Sequence, residues 1–572
     1  MEKLWKILTP DQGMVNRICR RLNCSPVMAT ILANRNIMSS EDLSAFFDSS
    51  FQQIGSPFCV QDIEVAAARI CEAVKTRERI WIFGDYDVDG ITATTMVYQF
   101  LKDAGAEVSY YIPHRVREGY GMRLHHISDI AIPNQIQLII TVDCGISSHE
   151  AIQAANASGM DVVVTDHHRI TNSLPDALAV INPDRMDCDS GLEHLAGVGV
   201  AFYLLVAVRK QLRDQNHWSH YPEPNLKEMC DLVALGTIAD LVPLVAENRI
   251  LVKKGLEVMN AGKRIGIKAL IDTCNLGKDR IETGDVAFRL APRLNAAGRM
   301  RHADLAVQLL MAQDVGSAVN AARELGELNR SRQIIEKEII EDIDRYIADY
   351  PKLLEKKTMV LSHPDWHVGL LGVVASRLAD RYYRPVVLFS EKRLPWKGSA
   401  RSIPGFDLHQ ALDSCSNLLE AFGGHKMAAG LSVKPDQFRA FKDEFESTAE
   451  KMIHPETAKP TILIDQELNL NQVTDRIIEE LDSLQPFGKE NQEPLFMARN
   501  VQIHFSSQVG DNHRRLRLGH SSGKLLNGIH FNAGPETMNA AKFDKMAFRL
   551  RWNHWNGKKT AQVIVEDVDL QQ

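Results

Sequence analysis

The stretch Ile80-Trp81-Ile82-Phe83-Gly84-Asp85-Tyr86-Asp87-Val88-Asp89-Gly90-Ile91 decides the fold. Four β-branched and aromatic residues read as a buried strand, glycine and aspartate stop it, and a helical pattern follows from Ile91 to Leu101. Strand, acidic turn and helix together open a βαβ unit. The same grammar returns downstream. Val108-Ser109-Tyr110-Tyr111-Ile112, Leu138-Ile139-Ile140-Thr141-Val142, Val162-Val163-Val164-Thr165 and Leu178 to Ile181 are short apolar runs, and a helix is expected over Ser147 to Ala157. Alternation of this kind predicts an α/β fold on a parallel sheet.

Several of these runs close on acid. Thr141-Val142-Asp143-Cys144-Gly145 and Val164-Thr165-Asp166-His167-His168 repeat the pattern of the first, and Asp240 ends the apolar helical segment Met229 to Ala239. In open parallel sheets ligands gather at the carboxyl edge, so Asp87, Asp89, Asp143 and His167 are expected to converge there with Asp240. Any one carboxylate after a strand is more often a helix cap or a turn residue, and a His-His pair is more often structural. Four acid-bearing segments at one sheet edge are hard to explain as caps alone. Oxygen ligands with one or two imidazoles suit Mg²⁺ or Mn²⁺, the imidazole favouring Mn²⁺.

The chain has 572 residues, 45% hydrophobic and 24% charged, which bounds it to a globular protein of three or four domains. No apolar run is long enough for a membrane span, and the scattered charges of Met1 to Gly13 exclude a signal-peptide core. Nine cysteines with no Cys-x-x-Cys pair read as reduced cytoplasmic thiols, without a disulfide framework or zinc site. The net charge of -7 argues only weakly against nucleic acid, because carboxylates that hold cations inflate it.

Residues 1 to 55 read as short helices and turns, with Ser39-Ser40-Glu41-Asp42 as a helix start. Residues 304 to 350 carry heavily charged helical periodicity and predict a long connecting helix. A second α/β unit follows, with strands at Met359 to Ser362 and Pro385 to Phe389 around a helix from Gly369 to Tyr383. Beyond Pro455 the texture is β, in runs such as Val501 to Phe505, Arg515 to Leu518 and Phe548 to Trp552, with Asn556-Gly557 a hairpin signal. This last part interleaves Arg514, Arg515, Arg517, Arg549, Arg551, Lys558 and Lys559 with Trp552 and Trp555, a composition suited to stacking bases and neutralising phosphates.

The order Asp-Tyr-Asp-Val-Asp-Gly, Val-Asp-Cys-Gly, Thr-Asp-His-His and Ile-Ala-Asp-Leu-Val-Pro resembles the DHH phosphoesterase superfamily, and within it the bacterial single-strand-specific 5′→3′ exonucleases. Ala291-Pro292-Arg293-Leu294-Asn295-Ala296-Ala297-Gly298-Arg299, Trp366-His367-Val368-Gly369-Leu370-Leu371-Gly372, Gly423-Gly424-His425 and Gln485-Pro486-Phe487-Gly488 extend the resemblance over nearly the whole chain. It implies a DHH domain (56–303), a connecting helix (304–352), a DHH-associated domain facing the metal site across a cleft (353–454) and a five-stranded OB-like barrel (455–572), after a helical segment (1–55). It implies that Asp87, Asp89, Asp143, His167 and Asp240 hold two ions, Asp143 and Asp240 being shared, with Asp166 orienting an imidazole and His168 facing phosphate. Pyrophosphatase-like relatives carry a histidine where this chain has Phe83, so Asp85 or water is expected to complete that ion's shell.

The same resemblance implies that Ser399 and Arg401 bind a terminal 5′ phosphate, helped by Arg115 and Arg299, with Gly423, Gly424 and His425 alongside. The implied activity is exonucleolytic hydrolysis of single-stranded DNA to 5′-mononucleotides in repair and recombination. A monomer is implied, with single-strand-binding protein and repair helicases as candidate partners. Two other readings compete: a phosphatase for small phosphate esters or short oligonucleotides, and a non-catalytic single-strand-binding protein on a degenerate DHH fold.

Overall fold

A computed structural model describes residues 3–170, 173–277, 280–453, 459–510, 512–521, 523–555 and 558–570, apart from the side chains of His554, Trp555 and Lys558. The expected hairpin turn Asn556-Gly557 lies outside the described residues. The chain divides into two compact units, one formed by residues 1–4, 112–120 and 292–461, the other by 5–111, 121–291 and 462–572.

The larger unit begins with β1 (Leu4–Ile7) and three helices, Gln12–Leu22, Pro26–Asn34 and Ser40–Phe47. The expected start at Ser39 is a reciprocal cap: Ser39 Oγ accepts from Asp42 N–H, and the Asp42 carboxylate accepts from Ser39 N–H. A parallel sheet follows, built from β2 (Arg79–Gly84), β3 (Glu107–Tyr111), β4 (Leu138–Val142), β5 (Asp161–Thr165) and β6 (Ala179–Ile181). The five strand runs read between Ile80 and Ile181 all appear here. Their order is β3-β2-β4-β5-β6, every neighbouring pair parallel. Connections leave β2 in one direction and β4 in the other, so the crevice between their carboxyl ends is the topological switch point.

In the smaller unit, residues 304–350 are not one helix. A short helix (Asp304–Leu310) ends, and a 35-residue helix begins at Val315. The break has a local cause. The Asp314 carboxylate accepts from Ser317 N–H at 2.9 Å and caps the longer helix, a side-chain bond that competes with continuous helix. The sheet here is β7 (Met359–His363), β8 (Val386–Ser390), β9 (Trp396–Arg401), β10 (Ala421–Gly424) and β11 (Ala428–Val433), in the order β10-β11-β9-β8-β7. Only β7 and β8 were expected. The antiparallel β9 to β11 are rich in Gly, Ser and Ala and carry no apolar alternation to betray them.

The chain then returns to the larger unit through β12 (Thr461–Ile464), where Leu8 N–H donates to the Ile464 carbonyl at 2.8 Å. β13 (Gln466–Glu467), β14 (Phe496–Val509), β15 (His513–Gly519), β16 (Leu526–His530), β17 (Lys542–Trp555) and β18 (Lys558–Asp569) form one sheet. It closes by the pairing of β14 with β17, so five strands make an OB-type barrel. Its core also contains Val15, Ile18, Val27, Met28, Ile31 and Leu32 from the first two helices, packed with Leu470, Ile478, Phe496, Leu516 and Phe548. The amino-terminal helices are part of the barrel's hydrophobic core. They bury apolar surface that neither element could hide alone.

Candidate active site

Each strand end at the switch point delivers a carboxylate. After β2 the chain turns within Asp85 to Asp87. Asp87 caps the helix Val88–Asp103, its Oδ1 accepting from Asp89 N–H at 3.1 Å and Gly90 N–H at 3.4 Å. After β4, Asp143 sits in the left-handed region at φ 59° while its N–H donates to the Thr165 carbonyl at 3.0 Å. A non-glycine residue held there stores strain, which structures retain mainly where a side chain must be aimed. After β5 come Asp166, His167 and His168. Asp240 arrives from the end of the helix Cys230–Ala239.

These side chains meet. His167 Nε2 lies 3.2 Å from Asp143 Oδ1, 3.7 Å from Asp89 Oδ2 and 3.7 Å from Asp240 Oδ2. Ligand atoms of Asp89, His167 and Asp240 fall within 4.8 Å of one another, and so do those of Asp85, Asp87 and Asp143 and those of Asp143, His167 and His168. Asp143 joins the other sets, whereas Asp240 groups only with Asp89 and His167. Phe83 is fully buried, its ring stacked on Tyr111 at 5.8 Å, so that position offers no nitrogen; Asp85 is the acid that stands in the Asp87–Asp143 group.

The electrostatics describe a site that calls for cations. Burial, and then the charge of Asp87, raise Asp89 to about 7. Burial, and then Asp89 and Asp87, raise Asp240 to about 8. Asp143 is raised well above its ordinary value by burial and by Asp89, Asp87, Asp85 and Asp240. Crowded carboxylates repel one another's charge. Divalent ions between them would relieve that repulsion, and the donor set of aspartate oxygens with one imidazole nitrogen fits Mn²⁺ or Mg²⁺. His167 suits a ligand because burial, and then His168, lower it to about 4, leaving the ring neutral.

His168 behaves oppositely. Burial would lower its pKa, but the bond to Asp166 overrides this and raises it to about 9. Asp166 Oδ1 lies 2.8 Å from His168 Nδ1 and accepts from the N–H of His167 at 2.8 Å and of His168 at 3.0 Å, while Oδ2 accepts from Ile146 N–H at 3.0 Å. Burial opposes the charge on Asp166, yet these bonds, led by His168, hold its pKa below the usual value. Asp166 therefore stays ionised and fixes the His168 ring.

Three family models match this chain: the DHH family N-terminal domain over residues 79–237, the DHHA1 domain over 355–451 and the RecJ OB domain over 464–567. The chain is 34% identical over 576 residues to the single-stranded-DNA-specific exonuclease RecJ of Bacillus subtilis, covering 99% of this chain and 71% of that protein. It is 35% identical over 564 residues to the Escherichia coli protein of the same name, covering 95% and 96%. The chain belongs to the RecJ family. Among solved structures, RecJ from Thermus thermophilus in complex with Mn²⁺ superposes with a TM-score of 0.83 at 30% identity, over 100% of this chain and 80% of that one. A second structure of that protein is in complex with Mg²⁺, with a TM-score of 0.76 at 29% identity, over 100% and 79%.

In the smaller unit of this RecJ-family chain, the expected phosphate-binding residues share a sheet face. Ser399 on β9 is opposite Gly430 on β11, which is opposite Gly423 on β10. A side chain added at either glycine would meet nothing within 4 Å, so this strip of backbone is open. Arg401, two residues along the same face, donates to Ser399 Oγ at 3.2 Å and to the Ala400 carbonyl at 2.8 Å. Burial, and then the positive charge of Arg115, lower its pKa. Gly372 closes the pocket from the helix Leu371–Tyr382: a Cβ there would lie 2.8 Å from Arg401 Nη2 and 2.9 Å from Ser399 Oγ. Arg299 donates to the Gly369 carbonyl at 3.3 Å. Gly424 pairs with Ala429, and His425 is exposed at the β10–β11 turn, where its N–H donates to the Ala428 carbonyl.

Sequence reasoning missed the helix Gly197–Asp214. Its first two amides grip Asp89: Gly197 N–H donates to Oδ2 at 2.6 Å and Val198 N–H to Oδ1 at 2.8 Å. The only signal was the small-residue start Gly197-Val198-Gly199. In the barrel, some of the basic residues expected at a strand-binding surface have other work. Arg514 is buried and donates to Ser506 Oγ and the Ala540 carbonyl, while Arg549 and Arg551 pair with Glu493. Arg515 and Arg517 are exposed, and the Lys559 ammonium sits 4.2 Å over the Trp552 ring.

Proposed function

We propose that this chain is a divalent-metal-dependent exonuclease that degrades single-stranded DNA from its 5′ end to 5′-mononucleotides, in DNA repair and recombination. The observation that carries the reading is the convergence of Asp143, Asp89 and Asp240 within 3.7 Å of His167 Nε2. Asp85, Asp87, Asp89, Asp143, His167 and Asp240 would hold two Mn²⁺ or Mg²⁺ ions. When bound, such a pair acidifies the attacking water and offsets the charge of the leaving oxygen. Asp166 keeps His168 protonated and oriented through Nδ1, so the opposite edge of the ring, Nε2–H, donates to a phosphate oxygen. Ser399 Oγ, the Arg401 guanidinium and the open backbone at Gly423 bind the terminal phosphate, with Arg115 adding positive charge. A grip on that end gives the reaction its polarity.

Polarity is tested by incubating 5′-labelled and 3′-labelled single strands with Mn²⁺. Early release of labelled mononucleotide from the 5′-labelled strand alone is the expected result; early release from the 3′-labelled strand rejects the polarity. Turnover of a dinucleotide matching that of a long strand would favour the small-substrate alternative, against which the barrel and the buried Phe83 both speak. Among the described residues no helix is long and apolar enough to cross a membrane. We also read the chain as a cytoplasmic monomer that receives strands from repair helicases and single-strand-binding protein; the mass from sedimentation equilibrium is the check on the monomer.

A further inference from the structure

The turn after Asp240 is unusually open. Leu241 adopts φ 59°, a conformation unfavourable for a side chain of its size, and is 65% exposed next to a site whose other members are buried or half-buried. A second segment docks on this turn. Leu244 N–H donates to the Lys489 carbonyl at 2.9 Å, and Gly488 lies so close that a Cβ there would be 2.6 Å from Leu244 Cδ1. The segment is braced from behind. The Asn491 side-chain amide donates to the carbonyls of Leu484 at 3.0 Å and Pro486 at 2.7 Å, and Arg249 donates to the Leu484 carbonyl at 3.0 Å.

Lys489 is thus fixed by its backbone while its side chain is exposed, and docking does not depend on the ammonium. It forms no ion pair among the described residues. Its backbone is held at Leu244, four residues past Asp240. An exposed lysine is usually just solvated. This one stands at the rim of an acidic centre that must admit a polyanion, beside an exposed apolar side chain held in a strained turn.

We propose that Leu241 and Lys489 form a strand-binding shelf at the Asp240 rim, Lys489 neutralising one backbone phosphate and Leu241 packing on the neighbouring sugar. The shelf rests on the exonuclease reading. It brings a segment that leads into the barrel directly to the cleavage centre.

The test is binding of a fluorescent phosphorothioate oligothymidylate to the full chain in Mn²⁺ across a KCl series. Lys489→Ala should make the plot of log affinity against log salt shallower by about 0.7, the loss of one single-strand phosphate contact, and Lys489→Arg should restore it. Leu241→Ser should weaken binding about three- to tenfold with the slope unchanged, as the loss of an uncharged contact. An unchanged slope in Lys489→Ala, or wild-type affinity in Leu241→Ser, overturns the shelf. Wild-type protein that fails to cleave an unmodified strand would instead remove the exonuclease reading on which it stands.

Discussion

Gly197→Ala adds one methyl group and tests whether the helix Gly197–Asp214 sets the geometry of the metal centre. The new carbon would lie 2.6 Å from Asp143 Oδ1 and 2.7 Å from Asp143 Cβ. Ordinary contact begins near 3.4 Å, so one partner must retreat by about 0.8 Å. Asp143 cannot yield freely, because its N–H is bound to the Thr165 carbonyl at 3.0 Å. If the helix start yields instead, it stretches the two bonds to Asp89, now 2.6 and 2.8 Å. Either way a carboxylate is displaced by nearly an ångström, which costs on the order of 100-fold in rate, or about 2.7 kcal/mol in the barrier. Overpacking should lower stability by only about 1–3 kcal/mol.

The assay is the initial rate of mononucleotide release from a 5′-labelled strand in Mn²⁺, with a thermal melt of the same preparation. Gly199→Ala is the control, since the atoms nearest its Cβ all belong to the Leu195 side chain, at 3.2 Å and beyond, and none to a site carboxylate. A Gly197→Ala protein that melts like wild type and cleaves within threefold of it would refute the reasoning. Equal damage from Gly199→Ala would do the same.

Arg401→Ala should erase any rate preference for 5′-phosphate over 5′-hydroxyl strands, measured as a ratio so that general loss cancels; an unchanged ratio removes the pocket. Gly372→Ala, whose methyl would crowd Arg401 Nη2 and Ser399 Oγ, should lower the same ratio while leaving Mn²⁺ binding as it was. Chelation with EDTA should stop cleavage, and Mn²⁺ at 100 times its dissociation constant should stabilise the fold by about 2.7 kcal/mol. Asp143→Asn should abolish both that stabilisation, seen as a lost shift in melting temperature, and cleavage. Glu336 is fully buried between Arg377 at 2.7 Å and Arg332 at 3.4 Å, so Glu336→Ala should cost about 3–5 kcal/mol in a denaturant melt.

The parallel sheet was legible because its strands are buried on both faces and spell continuous β-branched runs. Asp87, Asp143 and His167 could be read for the same reason, each standing where such a run stops. Asp240 was readable as the acid that ends an apolar helix. The strands β9 to β11 were not, because their small residues, Gly398-Ser399-Ala400 and Gly423-Gly424, remove the alternation that announces a strand. Gly197 and Val198 contribute through backbone amides, which every residue but proline possesses and no letter code advertises. Arg514 misled for the opposite reason: a guanidinium looks alike whether it awaits a phosphate or holds two strands together.

Sharing a core between the first helices and the last barrel has a consequence for biosynthesis. Val15, Ile18 and Ile31 emerge from the ribosome roughly 450 residues before Leu470 to Phe548, their packing partners, are made. At ordinary rates of synthesis that is roughly 20 to 90 s with a greasy surface uncovered. Until those strands arrive, the first two helices are a client for any factor that shelters nascent chains.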